Sequence, residues 1–339
     1  MEIVFVHFGS PIPNHLQLNV SRVLRLFPEK QITLITDSSV ETSKIDPSVK
    51  IYVAKFNNTY AQVNDLLTHP KDFRNNFWFN SLSRLMALCD YVETSHNSVL
   101  HIESDVLVSA DFPIDEFQTL DRPIAYTMLG NLRAVASIFF LENEKAALHL
   151  REYISQSVAQ DPSTTDMKIL GHYQSQHPEF VRILASFPEA KDEFFFLMPE
   201  GIRNDFLYTF GKFKGYFDAA DIGQFLMGDD PRNHRGVKYI RSKQTTSYLD
   251  PSAITYSYSQ SRKFLDLESK SLEKIYSLHI HSKDPQVFNP KKTEKSLINS
   301  VLNQMRPEYR KFMPRVFIDS VLKSIRRRWL VVAKVARND

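Results

Sequence analysis

Two short runs in this chain carry side chains that could do chemistry together. The first is His101-Ile102-Glu103-Ser104-Asp105, which reads as a strand; alternate strand residues share a face, so His101, Glu103 and Asp105 point one way. Two carboxylates at a strand's end make a hard oxygen site suited to Mg²⁺ or Mn²⁺. The plainer reading is that Asp105 opens the turn into Ser109-Ala110-Asp111-Phe112-Pro113. The second run is Leu278-His279-Ile280-His281-Ser282-Lys283, with two His on one strand face and a Lys at its end. Neutral imidazole binds Mn²⁺, and Lys offers a point charge for a diphosphate. The alternative is a pair of hydrogen-bonded structural His at a sheet edge. The runs complement each other, one supplying carboxylates and the other His and Lys.

These runs need elements to position them. Ile3 to His7 is a strand ending in Phe8-Gly9-Ser10-Pro11, and apolar residues at helical spacing follow from Leu16 to Phe27, stopped by Pro28. Ile32 to Thr36, with Asp37 at its end, and Ile51 to Val53 give two more strands. This β-α-β opening predicts a parallel sheet covered by helices. A long helix is expected over Phe77 to Val92, then one strand from Val99 to Val108, strands at Pro123–Tyr126 and Ala136–Leu141, and a helix from Glu144 to Val158. Phe194 to Phe217 is aromatic and Gly-punctuated, Asp218 to Met227 reads as a short helix, and residues 228–262 read as polar loop. Ile275 to His281 is a late strand, and the remainder is helical and ends in a basic segment.

At 339 residues, with 42% hydrophobic and 24% charged, the chain has an ordinary globular composition, and its 25 Phe, 14 Tyr and 2 Trp favour a large core. A net charge of +3 gives no footprint for nucleic acid. The one cysteine, Cys89, excludes an internal disulfide or a thiolate metal site. Neither a signal peptide nor a bilayer-length apolar run is visible, so a cytoplasmic protein is expected and the sequons at Asn19 and Asn57 read as chance matches. With only 9 Gly and no Gly-rich loop after the first strand, a sugar-nucleotide pyrophosphorylase is disfavoured. His7 stands where a phosphatase of the Asp-nucleophile kind would carry its Asp.

Taken in order, the β-α-β opening, the Arg-bearing helix, the Glu-Ser-Asp strand and the late His-x-His-Ser-Lys strand resemble GT-A glycosyltransferases. The segment from Phe217 to Asn233 is similar to a stretch of bacterial surface-polysaccharide members. The resemblance implies a Rossmann-like, mixed and mostly parallel α/β sheet over residues 1–290, with a helical extension over 291–339. It implies transfer of a sugar from a UDP- or GDP-linked donor to a glycan or lipid-linked acceptor, with Mn²⁺ or Mg²⁺. Glu103-Ser104-Asp105 takes the place of the family's DxD motif, Asp105 as direct metal ligand and Glu103 nearer the ribose or the metal. His281, or its face-mate His279, completes the metal set, and Lys283 neutralises the diphosphate. His7, Gly9 and Asp37 lie where such enzymes hold the base, and Arg84 is placed to reach the nucleotide. The departure is Glu103 where the family has Asp, which leaves an inactive nucleotide- or glycan-binding module as the rival.

Asp166 and Asp218 are candidates for taking the acceptor proton, although each is also placed to cap a helix. Gln224, Asp230, Arg232 and Asn233 are candidates for bonding acceptor hydroxyls, against an ordinary turn at Asp230–Asn233. In the tail, Ile318, Val321, Leu322, Ile325, Trp329 and Val332 recur at helical spacing opposite Lys323, Arg326, Arg327 and Lys334. That pattern fits either a helix docked on anionic lipid at the inner face of the membrane or a terminal helix with a solvated basic face.

Overall fold

The computed structural model describes residues 1–187, 198–227, 255–259, 262–268, 273–293 and 296. The expected mixed, mostly parallel sheet is present. The chain runs β1 (Glu2–His7), α1 (Asn14–Leu26), β2 (Ile32–Thr36), β3 (Lys50–Val53), α2 (Asn58–Leu66) and α3 (Phe77–Ser95). It continues through β4 (Val99–Ile102), β5 (Val106–Val108), β6 (Ile124–Gly130), β7 (Arg133–Leu141), α4 (Glu144–Gln160), α5 (Asp166–Gln176) and β8 (Val181–Leu184). Then come α6 (Glu200–Phe213), β9 (Gly215–Phe217), α7 (Asp221–Met227), β10 (Thr255–Ser259), β11 (Arg262–Glu268) and β12 (Glu273–His279).

The main sheet has the order β3-β2-β1-β4-β7-β6-β8, and only β7 runs antiparallel to its neighbours. Its central strands are buried on both faces, as a helix-covered parallel sheet requires. Ile3 and Phe5 enter one core cluster and Val4 and Val6 the other, so β1 feeds both layers with period two. A second sheet, β10-β11-β12-β5, has β9 added parallel to β12.

The predicted strand from Val99 to Val108 is in fact two. The chain leaves β4 in the main sheet, turns at Glu103-Ser104-Asp105, and enters β5 in the second sheet. The single shared face predicted for His101, Glu103 and Asp105 therefore does not exist. Two further corrections follow, while α5 starts after a cap at Thr165, as the placement of Asp166 suggested. Much of the aromatic stretch before Phe217 is helix α6. The span read as loop to residue 262 contains β10, whose Thr-Tyr-Ser-Tyr-Ser alternation is itself a strand signal. Gly228, Asp230, Arg232 and Asn233 lie outside the described residues, as do the tail helix and nearly all of the extension over 291–339. Among the described residues no helix is long and apolar enough to cross a membrane.

Candidate functional site: a carboxylate–imidazole cluster where two sheets meet

The site is built by strand pairing. β5 and β12 run antiparallel with Leu107 opposite Leu278 and Val106 opposite His279, and the Ile280 N–H donates to the Asp105 carbonyl at 2.7 Å. This register delivers His279 to the Glu-Ser-Asp turn. His279 Nδ1 lies 2.9 Å from the Ala219 carbonyl, a donor contact that turns Nε2 toward the acids. Nε2 is 3.3 Å from Glu103 Oε2 and 3.4 Å from Asp105 Oδ1. Glu103, Asp105 and His279 each offer a ligand atom within 4.8 Å of the others, the set that could hold a metal ion.

The neighbours extend this set into a ladder of alternating charge. Arg84 reaches from α3 to Glu103 Oε1 with one nitrogen, and to Asp166 Oδ2 at 3.3 Å with the other. At the opposite end Lys283 Nζ is 3.5 Å from Asp105 Oδ2. Burial works against ionising Asp105, but His279 and then Lys283 outweigh it and hold the carboxyl well below its usual range. Burial likewise opposes the Glu103 charge, and Arg84 with His279 lowers its pKa nonetheless. Burial would lower His279, yet the two carboxylates raise it to about 9.

Helix α1 holds the turn from behind with a buried polar stripe that the sequence reading missed. His15, Asn19 and Arg22 recur at helical spacing and are at most 8% exposed. His15 Nε2 lies 3.3 Å from Ser104 Oγ; Asn19 Nδ2 donates to the Ser104 and Val106 carbonyls at 3.2 and 2.9 Å; Arg22 donates to Val108 O at 2.9 Å. A buried Asn19 also accounts for its sequon being a chance match. Sequence spacing gave no signal for it: the three residues lie away from the apolar face of Leu16, Val20, Val23 and Phe27, where polar side chains read as solvated.

The remaining predicted residues divide. His7, Gly9 and Asp37 come together as expected at the strand ends, lining a cavity of about 660 Å³ with Phe8, Phe56, Phe79, Arg74, Asn75 and Asn80. The Gly9 N–H donates to Asp37 Oδ2 at 2.6 Å, and Gly9 sits at φ +81°, where a side chain would be strained. β1 pairs parallel with β4, Val4 opposite His101, so the His7 end of the cavity lies beside the Glu-Ser-Asp turn; burial lowers the His7 pKa. His281 follows the end of β12, its ring 4.0 Å from that of His279 and 3.5 Å from Gln224 Nε2, and lies outside the Glu103–Asp105–His279 cluster. His101 is fully buried behind the site, its Nδ1 on the Val4 carbonyl. Arg84 is engaged with two carboxylates rather than extended toward the cavity.

Asp218 is the cap that its position suggested. Its carboxylate accepts from the backbone N–H of Ile222, Gly223 and His279 at 3.1, 2.8 and 2.9 Å, and it is 1% exposed. Asp166 is the first residue of α5, capped by Thr165, and its carboxylate faces Arg84; burial raises its pKa while Arg84 pulls it down.

No protein-family model and no curated protein matches the chain. Among solved structures it is similar to apo mouse xyloside xylosyltransferase 1, at 9% identity and a TM-score of 0.40 over 54% of this chain and 84% of that one. It is also similar to the galactosyltransferase LgtC with donor and acceptor sugar analogues bound, at 13% identity and a TM-score of 0.40 over 55% of this chain and 73% of that one. A third is the apo glycosyltransferase GlyE of Streptococcus pneumoniae, at 14% identity and a TM-score of 0.37 over 53% of this chain and 44% of that one.

Proposed function

We propose that the chain is a metal-dependent glycosyltransferase of the GT-A kind, moving a sugar from a UDP- or GDP-linked donor to a glycan or lipid-linked acceptor. One observation carries this reading: Glu103, Asp105 and His279 converge, from turn and strand, within 4.8 Å of one another beside Lys283. Two carboxylates and an imidazole suit Mn²⁺ or Mg²⁺. The fit is supported by Glu103 Oε2, a buried oxygen with no hydrogen-bond partner that faces His279 Nε2. When bound, the cation would supply charge to stabilise a departing diphosphate.

The chain's own groups then divide the work. Arg84 fixes Glu103 through one oxygen and leaves the other turned to the site. The α1 stripe sets the Ser104 turn, and so the angle of Asp105. Lys283 stands one side chain away to neutralise phosphate oxygens. Asp37 and the rings of Phe8, Phe56 and Phe79 offer the adjoining cavity a carboxylate for ribose hydroxyls and apolar faces for a base. We assign neither Asp218 nor Asp166 as the base, because each carboxylate is held by the partners described above.

Incubation with UDP- and GDP-sugars and Mn²⁺ should release nucleoside diphosphate, and EDTA or Asp105→Ala should abolish the release. Turnover indifferent to both would refute the reading. The inactive-module rival has one observation in its favour, the pairing of Arg84 with Glu103. It predicts nucleotide binding with no diphosphate released from any donor.

A further inference from the structure

The cavity beside the ladder is bounded on one side by a segment the function above does not use. Residues Arg74, Asn75 and Asn76, just ahead of α3, take left-handed backbone angles in succession, φ 50°, 56° and 60°. This region disfavours side chains other than Gly, Asn least among them. Amide side chains hold it: Asn76 Nδ2 donates to Asn64 Oδ1 and Asn80 Nδ2 to the Asn75 carbonyl, both at 2.9 Å. The strained turn presents a cluster of rings at the surface. Phe73 and Phe77 are 42% and 36% exposed, their centroids 6.0 Å apart. Trp78 meets them at 6.1 and 5.1 Å and is backed by His69 at 4.7 Å. Arg74 lies over both Phe rings and, with Asn75, also lines the cavity.

We propose that Phe73, Phe77 and Trp78, with the polar groups of Arg74 and Asn75, form the platform on which a sugar ring of the acceptor stacks. The inference rests on the transferase reading and extends it to where the acceptor enters. Aromatic faces beside amide and guanidinium donors match a pyranose, which has apolar C–H faces and a rim of hydroxyls. The surface is continuous with the cavity assigned to the donor through Arg74 and Asn75. Phe77 begins α3, the helix that also carries Arg84 to Glu103.

The chain's two Trp make the test direct. In a Trp329→Phe background, Trp78 fluorescence is followed while lactose, cellobiose, maltose and chitobiose are titrated separately, and Mn²⁺ with UDP or GDP is tested in parallel by thermal shift. The expected result is a saturable Trp78 response to at least one disaccharide. Phe73→Ala and Phe77→Ala should weaken it about tenfold each, while nucleotide-with-metal stabilisation is retained. No response to any disaccharide would overturn the platform. So would a response only to UDP or GDP, or only to vesicles of phosphatidylcholine and phosphatidylglycerol. If nucleotide with Mn²⁺ fails to stabilise the parent protein, the transferase reading falls as well; if it stabilises and the disaccharides do nothing, only the platform falls.

Discussion

At the scale of single residues the site depends on who neutralises whom. Among the described residues Arg84 is the cation paired with Asp166, and it reaches Glu103 as well; all three side chains are at most 16% exposed. Removing it strands the buried Asp166 and leaves Glu103 to His279 alone, so Arg84→Met should destabilise the fold by about 3–5 kcal/mol in chemical denaturation. Arg84→Lys should recover only part, because one ammonium cannot fork to both acids; a loss below about 1 kcal/mol for the Met variant would contradict the ladder. His15 gives a pH signature. Burial depresses its pKa from 6.5 to about 4, so the folded state resists a proton that the unfolded chain accepts. Its contribution is fully present above pH 6.5 and eroded as pH falls toward 4. His15→Gln should therefore flatten the stability curve in that window, as urea melts at stepped pH would show. Much of this was legible: Glu103, Asp105 and His279 were named from residue type and spacing alone. That His279 rather than His281 sits against the two acids was not, because it turns on which strand residue lies opposite Val106.

At the scale of elements, the site is a junction of short pieces. Spacing found α1, α3 and α4 and the apolar strands β1, β2, β6 and β7, because their periodicity is set by burial on one or two faces, but it passed over α2 and β8. It failed at Val99–Val108, where ten residues of strand-like composition hide a change of sheet. The polar Glu-Ser-Asp run is its local mark, and β12 pairing with β5 fixes the second half in the other sheet. Helix α6 is masked in the sequence by its Phe residues and by Gly201 and Gly211, which resemble irregular aromatic chain. The element contact most exposed to a single change is α7 on the end of β12. A Cβ at Gly223 would lie 1.9 Å from the His279 carbonyl oxygen and 2.9 Å from Asp218 Oδ2. Backbone cannot give way cheaply there, so Gly223→Ala should shift His279 and lower the affinity for Mn²⁺ at least tenfold by calorimetry. Unchanged affinity would mean that α7 does not set the position of His279.

At the scale of the molecule, two sheets share the turn that carries the acids. The main sheet leads the chain to Glu103 and the second leads it away from Asp105, while the second sheet's β12 returns with His279. Ligands of parallel sheets gather at strand ends, and both the cavity and the charge ladder lie there. The central claim is that Glu103, Asp105 and His279 hold a divalent cation that grips a nucleotide's diphosphate. It is tested most directly by thermal shift with UDP, GDP, CMP and dTDP, with and without Mn²⁺, on the parent chain and on Asp105→Ala. The account predicts stabilisation by one nucleoside diphosphate that requires Mn²⁺ and is lost in Asp105→Ala. Absence of any nucleotide effect, or an effect that survives both metal removal and the substitution, would contradict it.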